Sequence, residues 1–256
     1  REQLHQFNDS GAKALVVLSD LLPITEQVVP NTAIETVIVT SAIDLLQAQP
    51  TPKSALPNLI SLPEALALGA NLALPNVQLS MDDLAVLQYT GGTTGPAKGA
   101  VLTHGNVFAG MRMSKLSVSL EGPEDVILIA PMPLYHIFGF TMNLIGGFVD
   151  GSHSVLVPDP RDINGLVELL KQYKFTSMAS VNTLLQGLMM HPEFDQIDFS
   201  GVKGVIAGGT ALVKEIADEW RSRTGSQIFE GYGLSETTAV LTCNTPDNNR
   251  LGTVGI

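Results

Sequence analysis

Along this chain, apolar runs of strand length alternate with segments of helical period, and that alternation limits the fold more than any other feature. The runs "ALVVLS", "TVIVT", "LAVLQYT", "VILIAP", "SVLVP", "FTSMASV", "GVIAGG" and "QIFEGYG" predict strands. Helical patterns fall at 105–116, 137–149, 163–174, 182–190 and 212–223. In the last of these, Leu212, Ile216 and Trp220 recur at four-residue spacing. Lys214, Glu215, Asp218 and Glu219 lie mostly on the other side, so one face is expected to be buried. Asp162 is placed to cap the helix it precedes. The expected fold class is therefore α/β, with mostly parallel sheets covered by helices, and such sheets bind ligands beyond the carboxyl ends of their strands.

At 256 residues and 45% hydrophobic content the chain can bury a substantial core. Two stretches depart from the alternation. Pro50, Pro52, Pro57, Pro63 and Pro75 make up five of the 15 prolines, so residues 45–80 read as an irregular excursion with a short helix in "SLPEALALG". Residues 126–149 contain no acid, lysine or arginine and are long enough to span a membrane. Pro131, Pro133, Tyr135, His136 and Asn143 divide that stretch into a strand, a turn and a buried helix instead.

The net charge of -11 repels nucleic acid and anionic membrane, and no run of Lys or Arg compensates for it. A polyanionic ligand would have to be held by local donors and a divalent cation, against that field. A single cysteine, Cys243, rules out an intramolecular disulfide and a cysteine zinc cluster. The first residue is Arg1, and the opening "REQLHQFNDSGAKALVVLSD" has no charged-then-apolar leader pattern, so the chain reads as a piece of a longer one.

Residues 90–99, "TGGTTGPAKG", hold four glycines, three threonines and a lysine directly after a predicted strand. Glycine at this density weakens any helix or strand, and so predicts a tight loop whose backbone N–H groups can turn toward an anion. The hydroxyls of Thr90, Thr93 and Thr94 add donors, and Lys98 adds a point charge. The nucleotide loop G-x-x-x-x-G-K-[ST] does not fit. Aligned on Lys98, it finds Ala97 in place of its second glycine and Gly99 in place of its metal-binding hydroxyl.

Two further loops follow. In "EGYGLSET", residues 230–237, Gly231 and Gly233 flank Tyr232. That placement suits stacking on a flat ring, as it also suits a tyrosine buried beside a strand end. Ser235 and Glu236 then supply a hydroxyl and a hard oxygen ligand of the kind that holds magnesium beside phosphates, Glu236 being equally readable as a solvated charge. In "AGGTAL", residues 207–212, Gly208 and Gly209 allow close backbone approach just before a helix N-terminus.

Taken in order, "YTGGTTGPAKG", "PMPLYHIFGF" and "GYGLSETT" resemble the core motifs of the adenylate-forming enzymes: acyl-CoA synthetases, luciferases and peptide-synthetase adenylation domains. Ala97 followed by "GAVLTHGN", together with "HQFNDSGAKALVV" and "EGYGLSET", is most similar to bacterial long-chain fatty-acid CoA ligases. The resemblance implies that residues 1–256 are an incomplete N-terminal AMP-binding (adenylation) domain, a partial large N-terminal domain of the adenylate-forming fold. The small C-terminal domain with its catalytic lysine would be absent, so the fragment alone is expected to lack full synthetase activity.

The implied reaction has two steps. A fatty carboxylate, already ionised near neutral pH, attacks the α-phosphate of ATP, and the thiol of coenzyme A then displaces AMP. Matched motif by motif, Thr90, Gly91, Gly92, Thr93, Thr94, Gly95, Lys98 and Gly99 would hold the β- and γ-phosphates. Tyr232, between Gly231 and Gly233, would stack on adenine, with Glu230 or its backbone at the adenine amino edge. Ser235, where relatives usually carry threonine, would contact the α-phosphate, and Glu236 would bind Mg2+. His136 would lie near the acyl entrance, and Gly208, Gly209 and Thr210 would border the acyl and adenine pockets. Lys98, Ser235 and Glu236 are the implied catalytic residues. The implied partners are fatty acid, ATP and coenzyme A, without nucleic acid. The implied place is the cytoplasm, with peripheral contact at the inner membrane because long-chain acids partition there, although no amphipathic basic helix announces it. The sequence specifies no oligomeric state. Two other readings stand beside this one: an adenylating ligase for an aryl or medium-chain acid, and a nucleotide-binding module without chemistry.

Overall fold

All eight predicted strand runs form strands in the computed structural model, which describes residues 1–47, 50–91, 95–118 and 126–255. The chain divides into two units, Arg1–Leu79 with Tyr89–Ala100, and Ser80–Gln88 with Val101–Ile256.

The first unit begins with helix α1, Glu2–Ser10, closed by Gly11 in the left-handed conformation at φ 64°. Strands β1 (Ala14–Leu18), β2 (Thr36–Thr40) and β3 (Leu59–Ser61) form a parallel sheet in that order, with Ala14 opposite Thr36 and Val37 opposite Leu59. Helix α2, Leu22–Val28, connects the first two strands. Val17, Leu22, Val29, Val37, Val39 and Leu56 make its core. The proline-rich excursion thus supplies a strand and a core leucine, as well as the expected short helix α3, Leu62–Gly69. Ser61 caps α3 by accepting from the Glu64 N–H at 3.3 Å, with Pro63 in the first turn where no intrahelical N–H is needed.

Among the described residues, strands β4 (Leu84–Thr90) and β5 (Lys98–Thr103) form a two-stranded sheet of their own. This corrects the expectation that "LAVLQYT", like the other predicted strands, joins a mostly parallel sheet. Residues 91–97 are too few for the crossover of about a dozen residues that a parallel neighbour requires.

The second unit continues through helix α4 (His104–Val118) and β6 (Ile127–Ala130). Next comes one continuous helical run: α5 (Ile137–Gly139), a π-helical stretch Phe140–Gly146, and α6 (Gly147–Val149). Strand β7 (His153–Leu156), helix α7 (Ile163–Leu170), β8 (Ser177–Ser180), α8 (Asn182–Met189) and β9 (Gly204–Ala207) follow. Helix α9 (Lys214–Thr224) and strands β10 (Ile228–Leu234) and β11 (Ala239–Cys243) complete the unit. The sheet order is β11-β10-β9-β8-β6-β7, and only the β10–β11 pair is antiparallel. Asp162 caps α7 as expected, accepting from the Gly165 N–H at 3.0 Å. The charge-free stretch 126–149 resolves into strand, turn and helix, and among the described residues no helix is long and apolar enough to cross a membrane.

Trp220 is fully buried, as the four-residue spacing on α9 implies. Its ring meets Phe194 and Phe199 at 5.7 and 5.4 Å, and its Nε1 donates to Ser226 Oγ at 2.8 Å. Trp220→Ala should remove about 3–5 kcal/mol of stability by leaving a cavity. Denaturant titration checks this.

Cys243 is buried at the end of β11, and burial pushes its thiol from the ordinary 9.0 up to about 11. Between those values the unfolded chain gives up a proton that the folded chain keeps. Its contribution to stability is therefore complete below pH 9.0 and is lost as pH rises to about 11. Iodoacetamide should label Cys243 slowly in the native protein, with a rate that climbs near pH 11; the denatured protein should label quickly and near its ordinary thiol pKa.

Candidate active site

In the first unit, Thr90 closes β4 and Lys98 opens β5, so both flank the glycine segment, and Thr90 Oγ1 donates to the Lys98 carbonyl at 3.5 Å. Gly91, Gly95 and Lys98 are exposed. A side chain at Gly91 or Gly95 would meet open space. Gly92, Thr93 and Thr94 lie outside the described residues. Gly99 lies against the Tyr89 ring, which a Cβ would approach at 3.1 Å. The Tyr89 hydroxyl donates to Asp9 Oδ2 at 2.6 Å, and His5 Nε2 donates to the Ala97 carbonyl at 2.7 Å. The Asp9 hydrogen bond, aided by desolvation and the Asp9 charge, holds the Tyr89 hydroxyl above its usual pKa and so keeps it a donor.

In the second unit, the chain leaves β6 outward to β7 and returns on the other side to β8, so the strand order reverses between β6 and β8. The carboxyl ends around such a reversal form a ligand crevice in open α/β sheets. Three predicted segments occur there: residues 131–136 after β6, 208–213 after β9, and the end of β10 with its following turn. His136 caps α5, its Nδ1 accepting from the Phe138 N–H at 3.2 Å, which puts the proton of the neutral ring on Nε2. Beside it, Pro131–Tyr135 and Leu156–Arg161 line a groove of about 570 Å³. Arg161 at this groove is paired with Asp159, Nε to Oδ1 at 2.9 Å and Nη2 to Oδ2 at 3.1 Å. The pairing lowers the Asp159 pKa and raises that of Arg161.

Asn182, the first residue of α8, fastens the 208–213 loop. Its Nδ2 donates to Thr210 Oγ1 at 3.2 Å and to the Ala211 carbonyl at 2.8 Å, and its Oδ1 accepts from the Val213 N–H at 3.0 Å. Gly209 takes φ 82°, a conformation that glycine enters without penalty. Glu230 grips the same loop from β10. Its side chain is 4% exposed, and Oε1 accepts from the Leu212 N–H at 2.9 Å, while buried Oε2 has no partner among the described residues. The Glu230 carbonyl accepts from the Asn244 N–H at 2.9 Å.

Tyr232 is 47% exposed, so a ring face remains open to a ligand. The β10–β11 register shifts between Tyr232 and Gly233, and a Cβ at Gly233 would collide with the Ala239 carbonyl. Ser235–Thr237 then form one 3-10 turn, closed by Thr238 at φ 58° and Ala239 at φ 83°, both costly for residues with a Cβ. The turn is held from both sides. Thr237 Oγ1 accepts from the Leu234 N–H at 3.1 Å, and the buried Thr141 hydroxyl donates to the Thr238 carbonyl at 3.4 Å. Gly110 of α4 makes room for Thr238, whose atoms would lie 2.8 Å from a Cβ there. On this turn Glu236 is exposed, and no other described residue engages its carboxylate. Among the described residues no group of three or more His, Cys, Asp or Glu is arranged to bind a metal unaided.

The roles of Asn182, Thr141 and Gly110 escaped the sequence reading. Their partners lie on other elements, and helical period placed the three residues on α8, the π-helical stretch and α4 without indicating those contacts.

A family model described as "AMP-binding enzyme" matches residues 1–256. The chain is 38% identical over 272 residues to a long-chain-fatty-acid–CoA ligase of Salmonella typhimurium, covering 100% of this chain and 48% of that protein. It is 29% identical over 246 residues to 4-coumarate–CoA ligase 3 of Arabidopsis thaliana, covering 94% and 41%. Among solved structures, the anthranilate CoA ligase AuaEII in complex with anthranoyl-AMP superposes with a TM-score of 0.84 at 23% identity, covering 99% of this chain and 47% of that one. ATP-bound MatB from Rhodopseudomonas palustris superposes at 0.78 with 25% identity, covering 99% and 46%. The chain spans about half the length of the curated relatives it matches. By a family match that runs its whole length, it belongs to the AMP-binding enzyme family.

Proposed function

We propose that the protein containing this chain activates a long-chain fatty acid with ATP and passes the acyl group to coenzyme A. The observation that carries this reading is the 38% identity, across all of the chain, to relatives named long-chain-fatty-acid–CoA ligase. Residues 1–256 would form part of the N-terminal AMP-binding domain, with 45–80 a proline-rich excursion, in a cytoplasmic enzyme that touches the inner membrane where its substrate partitions.

A carboxylate oxygen attacks the α-phosphorus of ATP and pyrophosphate leaves; the sulfur of coenzyme A then attacks the acyl carbon, AMP leaves, and the thiol proton is released. Neither step requires a covalent bond to the protein, so the residues act by positioning and by neutralising charge. Lys98 and the donors of 90–99 would hold the β- and γ-phosphates. Tyr232 would stack on adenine, and Ser235 would donate to the α-phosphate. The burial of the Glu230 side chain against Leu212 favours its backbone, rather than its carboxylate, as the group at the adenine amino edge. Gly208, Gly209 and Thr210 would border the acyl and adenine pockets, with the Nε2 side of His136 toward the acyl entrance.

Magnesium fits the donors present. Glu236 offers a free, exposed carboxylate, and a magnesium ion bound beside phosphates needs only one or two from the protein. When bound, it would neutralise phosphate charge next to the Ser235 hydroxyl.

A second reading, activation of an aryl acid, is favoured by the 29% identity over 246 residues to a relative named 4-coumarate–CoA ligase 3. Competition between long-chain, medium-chain and aryl acids in pyrophosphate exchange by the full-length enzyme decides between them, and preference for an aryl acid would overturn the first. In that enzyme, Lys98→Ala and Glu236→Ala should each lower kcat by roughly 100-fold or more, the scale of losing one preorganised charge partner. Calorimetric titration should still detect ATP. Unchanged turnover in both variants would refute the assigned roles.

A further inference from the structure

Helix α1 has no fully buried residue, and its two apolar side chains, Leu4 and Phe7, are only partly buried. Its polar side chains are committed elsewhere. His5 Nε2 lies 2.7 Å from the carbonyl of Ala97, 92 residues away. A carbonyl only accepts, so this nitrogen carries the proton and donates. One turn later Asp9 Oδ2 accepts from the Tyr89 hydroxyl at 2.6 Å, across 80 residues, and the same hydroxyl is 3.3 Å from the Gln6 carbonyl. Positions i and i+4 of a helix share a face. One face of α1 therefore holds the chain just before the glycine segment, at Tyr89, and near its end, at Ala97.

We infer that His5 and Asp9, with Tyr89, are positioning residues that brace both flanks of the glycine loop, a role that rests on the ATP-dependent function proposed above. The physical need is plain. A glycine-rich segment loses more backbone freedom on ordering than any other, and each anchor fixed in advance reduces the entropy lost when a phosphate binds. The phenol–carboxylate bond is short and charge-assisted, which makes it the stronger anchor. Gly99 belongs to the same arrangement, because a side chain there would press on the Tyr89 ring that delivers the hydroxyl.

The test uses the full-length enzyme and the variants Tyr89→Phe, His5→Phe and His5→Gln. Tyr89→Phe and His5→Phe should each raise the KM for ATP about tenfold, the scale of one lost hydrogen bond. They should leave the KM for the fatty acid and the melting temperature nearly unchanged, and should speed hydrogen exchange in the peptide covering 90–99. His5→Gln, whose side-chain amide can still donate to Ala97, should stay within about twofold of the unmodified enzyme. The inference is overturned if exchange in 90–99 is unchanged in the phenylalanine variants. It is equally overturned if both KM values rise together with a falling melting temperature, or if His5→Gln is as impaired as His5→Phe. An unmodified enzyme that fails to bind ATP would defeat the proposed function; hydrogen exchange would then decide the brace alone.

Discussion

Parallel pairing is the constraint from which the second unit's chemistry follows. Strands β7, β6, β8, β9 and β10 all run one way, so each link between them must travel back along the sheet. Every loop that leaves a strand's carboxyl end therefore emerges on the same edge. The chain moves from β6 outward to β7 and then inward to β8, opening a crevice that no connection crosses. His136, Asn182, Gly209 and Tyr232 are far apart in sequence, yet each stands on, or just beyond, a carboxyl end of this sheet.

A strand edge supplies only rough placement, and buried polar contacts refine it. Glu230 is the clearest case. A carboxylate at 4% exposure is costly to bury, and it is retained where it ties the end of β10 to the loop after β9 through the Leu212 N–H. Asn182 fastens the same loop from α8 with three hydrogen bonds. The turn after β10 carries two residues at positive φ, and the Thr141 hydroxyl, the Thr237 hydroxyl and the gap left by Gly110 hold that strain in place. Glu236 thus rests on a turn over-determined from several sides.

The sequence made the strands legible where apolar runs were long, and the caps legible where a short polar side chain preceded a helix, as at Asp162. It misled at β4, because an apolar run looks alike in a parallel sheet and in a two-stranded ribbon; only the brevity of 91–97 separates the two. Helix α1 was illegible for the opposite reason. It has only two apolar side chains, Leu4 and Phe7, neither fully buried, which is too few to mark a stripe. Strand β3 was hidden by its three-residue length among prolines. The proposed ligand groups could be named from glycine, hydroxyl and charge patterns. The residues that hold them in place could not, since their partners lie on other elements and follow no period.

The net charge of -11 gives this arrangement its electrostatic logic. A protein so acidic repels a nucleotide triphosphate at long range, so whatever holds one must act at short range, where donors in fixed positions outweigh a screened field. Lys98 is exposed, and among the described residues no carboxylate pairs with it, so its charge is available to a ligand. Arg161 shows the contrary state: its guanidinium is committed to Asp159, which leaves the groove beside His136 without a net positive group. Within its own unit, then, Lys98 is a cation open to an anion, while the groove's one guanidinium is already neutralised by its neighbour.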